Sequence, residues 1–176
     1  MKYLGYARLL VTSVVVILLD QWSKYLVRQL PLGDIWMPSG WDWLTPYARI
    51  VHWYNTGAAF GSFQGFGLVF TLLAFVVVGF IVVYFQKLAM DHWWMEVALG
   101  MQMGGAIGNV IDRITNEMKV TDFISIGSFA VFNIADSAIT VGTVILVAGM
   151  LYLDKRAAKL TSTTEDPSAG KDNPGE

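Results

Sequence analysis

The chain has 176 residues, of which 55% are apolar and only 15% charged, with a net charge of −2. A soluble domain is usually about 45–50% apolar and about 25% charged, so both departures point to a membrane protein. The absence of cysteine excludes disulfides, thiolate metal sites and cysteine nucleophiles, and the near-neutral balance gives no reason to expect nucleic acid.

The aromatic count, seven Trp, seven Tyr and ten Phe, suits a chain with long stretches at membrane–water interfaces. His52 and His92 lie far apart and are too few for a typical His-rich metal site, so neither a metal nor a cofactor is expected.

The first predicted element is a membrane span over about residues 3–28, centred on "LLVTSVVVILL". Lys2, Arg8 and the apolar stretch resemble a secretory signal, but "DQWSKYLVRQL" follows without a small-x-small cleavage site, so the span is expected to be retained. Asp20, Lys24 and Arg28 recur every fourth residue and share one helix face. The Asp20–Lys24 spacing also fits a simple structural ion pair.

A long loop over about 29–66 comes next. "ARIVHWYN" reads as a short strand, with His52 and Trp53 as interfacial anchors, and "TGAAFGSFQGFG" as a short interfacial helix or turn. The second span, 67–85, carries no charge and reads as scaffold. The third, 94–112, is weaker and places Gly100, Gly104 and Gly108 at spacing four, which allows close helix packing. In the second loop, 113–132, "KVTDFISI" and "SFAVFN" are two β-like runs joined by "GS".

The fourth span covers 134–153. Residues 1–158 are expected to form a single domain, and 159–176 a disordered tail rich in Ser, Thr, Pro and Gly. The predicted fold is mainly α: a four-transmembrane-helix bundle with a small extra-cytoplasmic β-sheet and a short interfacial helix. Lys155, Arg156 and Lys159, after the last span, favour cytoplasmic termini.

Polar residues in such a chain need an account, because a charge at the bilayer centre costs on the order of 2.5–3.5 kcal/mol. Under this topology they gather at the extra-cytoplasmic helix ends: Asp20, Lys24 and Arg28, then Asn109, Asp112 and Arg113, then Asn133 and Asp136. Asn133 or Asp136 alone reads as a helix N-cap, and Arg113 alone as a residue reaching for the surface. Capping does not explain why Asp122, 14 residues before Asp136, lies where a hairpin brings the two together with Asn55, Asn109, Arg113 and Asn133.

Two carboxylates without metal or cysteine suit amide hydrolysis by an aspartate dyad, in which the pair shares one proton. A proton-coupled transporter and a non-enzymatic scaffold are the rival readings. Against the transporter, no half-repeats appear and no polar stripe crosses the bilayer.

Five stretches, "DQWSK" at 20–24, "YNTGAAFG" at 54–61, "GGAIGNVIDR" at 104–113, "VTDF" at 120–123 and "FNIADSAI" at 132–139, occur in the order found in bacterial lipoprotein signal peptidases (signal peptidase II). The chain resembles that family over nearly all its length except the tail. The resemblance implies an inner-membrane aspartic endopeptidase that cleaves prolipoproteins just before a diacylglyceryl-modified cysteine. It implies Asp122 and Asp136 as the catalytic pair, and Asp20, Lys24, Asn55, Gly108, Asn109, Arg113 and Asn133 as substrate-binding or supporting residues. It further implies inhibition by globomycin-type cyclic peptides; contact with membrane lipids is expected from the spans, and a monomer because no surface clearly demands a partner. One departure is Thr121, where the family often has an aliphatic residue, so a change in local hydrogen bonding is expected there.

Overall fold

The computed structural model describes residues 2–57, 64–89 and 92–164. Among them are four long helices, α1 (Lys2–Val27), α2 (Gly67–Leu88), α3 (Trp93–Thr115) and α4 (Ile134–Thr164), and the strands β1 (Ile35–Trp36), β2 (Ala48–Asn55) and β3 (Val120–Ile126).

Three of the helices, α1, α2 and α4, are long and apolar enough to cross a membrane. Their outer faces expose residues such as Val14, Leu18, Leu72, Val76, Val144 and Leu151, the surface that lipid requires. The 23-residue α3 lies outside that group. It packs against the other three helices and buries Glu96, Asn109 and Asp112. A helix lined by protein needs little lipid-facing surface, which is why its sequence reads weaker.

The glycines of α3 let neighbouring backbones approach. A Cβ on Gly100 would lie 2.7 Å from the Leu9 carbonyl oxygen, and one on Gly105 would lie 2.5 Å from that of Ala135. The first contact is with α1 and the second with α4, so the small-residue stripe is a packing device. Leu9, Ile81, Phe85, Met95, Leu99, Met103 and Leu146 form a core toward the end of the bundle where α2 finishes and α3 begins. Near that end, the partly exposed Arg8 guanidinium donates to the Glu96 carboxylate.

The sheet has the order β1-β2-β3, antiparallel throughout, and joins the two loops as the sequence predicts. The register sets Trp53 opposite Asp122 and Asn55 opposite Val120, with an irregularity between Ile50 and Trp53. The turn from α3 into β3 is tight: Glu117 and Met118 adopt left-handed backbone angles, φ 51° and 63°. Gly67 opens α2 against this turn, where a Cβ would stand 2.7 Å from the Met118 carbonyl.

Several expectations change. "SFAVFN" does not form a strand; it contributes one bridge, Phe132 to Ile124. The two-residue β1 and a 3-10 turn at Asp42–Leu44 carry no periodicity that reveals them. His52 is buried rather than an interfacial anchor, because its Nδ1–H donates to the Leu30 carbonyl at 2.7 Å, whereas Trp53 is exposed. The expected tail from 159 gives way to helix through Thr164, since "DKRAAKL" is rich in helix-favouring residues. The expected short interfacial helix falls largely on residues 58–63, and the rest of the tail on 165–176, both outside the described residues.

Candidate active site

Asp122 lies within β3, and Asp136 in the first turn of α4. Both line one cavity of about 560 Å³ together with Asn55, Asn109, Arg113 and Phe70. The cavity forms because β3 leaves the end of α3, turns at Gly127, and returns through Phe132 to the start of α4.

Three asparagines aim their amide groups at the two carboxylates. Asn55 Nδ2 donates to Asp122 Oδ2 at 2.9 Å, and Asn133 Nδ2 donates to Asp122 Oδ1 at 2.7 Å. Asn109 Nδ2 donates to Asp136 Oδ1 at 2.8 Å. The orientation of each amide is fixed by what its oxygen accepts. Asn55 Oδ1 accepts from the Gly57 N–H at 2.9 Å, Asn109 Oδ1 from Lys24 Nζ at 3.0 Å, and Asn133 Oδ1 from the Asp136 N–H at 2.9 Å. A flipped amide would set oxygen against carboxylate, so the network admits one arrangement.

Behind the asparagines lies a buried charge cluster. Lys24 Nζ is 2.8 Å from Asp20 Oδ2 and 3.4 Å from Asp112 Oδ2. Arg28 Nη2 meets Asp112 Oδ1 at 2.7 Å. Asp20 Oδ1 accepts the Ala135 N–H at 3.0 Å, which ties α1 to the first turn of α4. Gly108 makes room for that contact, because a Cβ there would stand 2.7 Å from Asp20 Oδ2. The face formed by Asp20, Lys24 and Arg28 is therefore the one the spacing predicts, and it faces the site.

Arg113 lines the cavity but makes little polar contact. Its Nη1 reaches the Asn109 carbonyl at 3.5 Å, and its guanidinium sits over the Phe70 ring at 5.7 Å. Among the described residues it forms no ion pair, so its charge stays available to the cavity. Burial first, then the nearby charge of Asp136, push the Asp122 carboxyl up to about 7, against the pull of the Asn55 and Asn133 donors.

All nine residues predicted for the site are accounted for here: Asp122, Asp136, Asn55, Asn109 and Arg113 on the cavity, with Asp20, Lys24, Gly108 and Asn133 behind or beside it. Gln21, Arg28, Asp112 and Thr121 also join the network, and none of them was predicted as a site residue. The signal for Arg28 was its spacing after Lys24.

The fold and the cavity define a helical protein with membrane-length helices, in which the asparagine-bonded carboxyls of Asp122 and Asp136 face one space at one end of the bundle. The family model described as Signal peptidase (SPase) II, Peptidase_A8, matches residues 12–152. The chain belongs to that family. It is 42% identical over 146 residues to the lipoprotein signal peptidase of Geobacillus thermodenitrificans, covering 80% of this chain and 87% of that one. With the lipoprotein signal peptidase of Streptococcus pneumoniae it shares 37% identity over 149 residues, 80% of this chain and 92% of that one. A bacterial membrane enzyme solved in meso at 2.3 Å superposes with a TM-score of 0.73 at 27% identity, covering 96% of this chain and 94% of the other. A second, solved in meso at 1.9 Å, gives 0.71 at 30% identity over 81% and 92% of the two chains.

Proposed function

We propose that this protein removes signal peptides from prolipoproteins, cleaving the amide bond just before a diacylglyceryl-modified cysteine with Asp122 and Asp136 as the catalytic pair. The observation that carries the reading is the cavity itself: two carboxylates, each fed by oriented amide donors, facing one space. Below it, a groove of about 280 Å³ between α2, α3 and α4 shares Phe70, Asn109 and Arg113 with the cavity. A substrate helix lying in that groove would bring its end to the dyad.

The chemistry follows from the proton inventory. Asp122 holds the shared proton, hydrogen-bonds the scissile carbonyl with it and passes it to the carbonyl oxygen as the water attacks. Asp136 takes a proton from a water, whose oxygen attacks the carbonyl carbon. The tetrahedral intermediate then collapses: the C–N bond breaks, the proton taken by Asp136 passes to the departing amine, and Asp122 recovers its own from the intermediate. Arg113 lends positive charge to the side of the cavity where the oxyanion develops. No cofactor enters.

In this reading α3 is a fourth crossing, since 23 residues at about 1.5 Å each exceed the roughly 30 Å hydrocarbon core. Residues 1–158 act as one domain in the bacterial inner membrane, with both termini cytoplasmic and the dyad near the outer surface. Lys155 and Arg156 lie at the far end of α4 from Asp136, and Trp36, Trp41, Trp43 and Tyr47 are exposed on the loop that shares the dyad's end. The working unit is a monomer among membrane lipids, and globomycin-type peptides compete for the cavity.

Purified protein assayed on a diacylglyceryl-modified prolipoprotein tests the reading. Asp122→Asn and Asp136→Asn each abolish cleavage while the protein stays folded. Near wild-type turnover by either variant would mean that the pair is not the catalyst.

A further inference from the structure

Thr121 sits in a closed ring of hydrogen bonds. Arg28 Nε donates to Thr121 Oγ1 at 2.9 Å. Arg28 Nη2 donates to Asp112 Oδ1 at 2.7 Å, and the Thr121 N–H donates to Asp112 Oδ2 at 2.7 Å. Asn133 Nδ2 also reaches the Thr121 carbonyl at 3.4 Å. Side chain, amide and carbonyl of one residue are thus all held, and that residue immediately precedes Asp122.

We infer that Arg28 and Thr121 are positioning residues for the peptidase reaction, and that their ring with Asp112 fixes the backbone that aims Asp122 into the cavity. Alternation along β3 sends the side chains of 121 and 122 to opposite faces, so fixing one fixes the direction of the other. The planar guanidinium is essential because it spans two acceptors on different elements at once, Asp112 on α3 and Thr121 on β3. A lysine ammonium keeps the charge but lacks the rigid fork. An aliphatic residue at 121 offers Arg28 no acceptor, so the arginine and the threonine form a matched pair. Thr121 and Asp112 are fully buried, whereas Arg28 reaches in from the surface end of α1.

This inference rests on the peptidase reading, and the test keeps the two apart. kcat, KM and thermal unfolding are measured with a diacylglyceryl-modified prolipoprotein for the wild type, Thr121→Val, Thr121→Ser, Arg28→Lys, the Thr121→Val/Arg28→Lys pair and Asp122→Asn. Misplaced catalytic groups lose turnover more than binding, so Thr121→Val and Arg28→Lys should each lower kcat about tenfold with KM little changed. Thr121→Ser restores the wild-type kcat because it restores the hydroxyl. The double variant is no slower than the slower single variant, since Arg28→Lys already breaks the contact with Thr121 Oγ1 that Thr121→Val removes. Wild-type kcat for Thr121→Val, failure of Thr121→Ser to restore it, or multiplied losses in the double variant each overturn the inference. If Asp122→Asn turns over like the wild type, the peptidase reading itself falls. If Asp122→Asn is inactive and Thr121→Val is not impaired, only the positioning role falls.

Discussion

Asn133 and Asp136 cap each other. Asn133 Oδ1 accepts the Asp136 N–H at 2.9 Å, and Asp136 Oδ2 accepts the Asn133 N–H at 3.3 Å. This is a capping box with Asn at the N-cap and Asp three residues on. Capping and catalysis are therefore not rivals at Asp136: one carboxylate oxygen faces the helix start while the other faces Asn109.

The cap and the Asp122 donor tie stability to activity at Asn133. Asn133→Ala removes the cap and the Asp122 donor together, so it should cost about 1 kcal/mol in unfolding free energy and most of the activity. Asn133→Asp keeps an acceptor for the Asp136 N–H but replaces a donor beside Asp122 with a third carboxylate. Because Asn133 is fully buried and its amide faces Asp122, Asn109 Oδ1 and the Thr121 carbonyl, the added carboxylate should make this variant unfold earlier than Asn133→Ala, and it should cleave no better. Thermal unfolding in detergent beside the cleavage assay checks the order. A fully active Asn133→Asp would remove the donor role from the account.

The raised Asp122 carboxyl predicts a pH dependence with a definite sign. An unfolded aspartate titrates near about 3.9, whereas burial and Asp136 hold Asp122 at about 7 in the fold. Between those values the native state keeps a proton that the unfolded chain has released. The contribution of Asp122 to stability is therefore fully present below about pH 4 and is lost as pH rises through about 7. Activity follows the same proton: cleavage falls as pH rises through that range and Asp122 ionises. A pH profile of kcat/KM reads this limb, and activity that stays level up to pH about 9 would contradict it.

The extent to which the site was legible in the sequence follows from how local each contact is. The pairing of Asp122 with Asp136 could be read because a short returning segment joins them, and Asn133 because it stands at the start of an apolar run. The Asp20, Lys24, Arg28 face could be read because helical periodicity is rigid. The Arg28–Thr121–Asp112 ring could not, because it depends on the relative register of α1, α3 and β3, which no single segment encodes. For the same reason β1 is not legible in the sequence: two exposed residues carry no alternation, and only pairing with Ile50 and Val51 makes them a strand.

Gly108 has a positional role that a single methyl tests. A Cβ there would stand 2.7 Å from Asp20 Oδ2 and 3.5 Å from the Ala135 Cβ. Gly108→Ala should push Asp20 away from the Ala135 N–H and loosen the first turn of α4, which carries Asp136. Overpacking of this kind costs roughly 1–3 kcal/mol. A lower unfolding temperature together with reduced cleavage is expected. Gly79, where a Cβ meets nothing within 4 Å, is the control, and Gly79→Ala should lower neither.

Lys24 is the cation on which the buried cluster depends. It is fully buried, pairs with Asp20 at 2.8 Å, lies 3.4 Å from Asp112, and donates to Asn109 Oδ1 at 3.0 Å. Lys24→Met leaves Asp20 as an uncompensated buried carboxylate, whereas Asp112 keeps Arg28. Breaking one side of a buried pair costs about 3–5 kcal/mol. Pairing the change with Asp20→Asn removes the stranded charge, so the double variant should recover a substantial part of the lost stability. It should not recover activity, because Asn109 Oδ1 still lacks its lysine donor and the amide is freer to turn away from Asp136. Unfolding temperatures for the wild type, both single variants and the double variant form a thermodynamic cycle that measures the coupling. Turnover recovered along with stability would show that Lys24 acts only through folding.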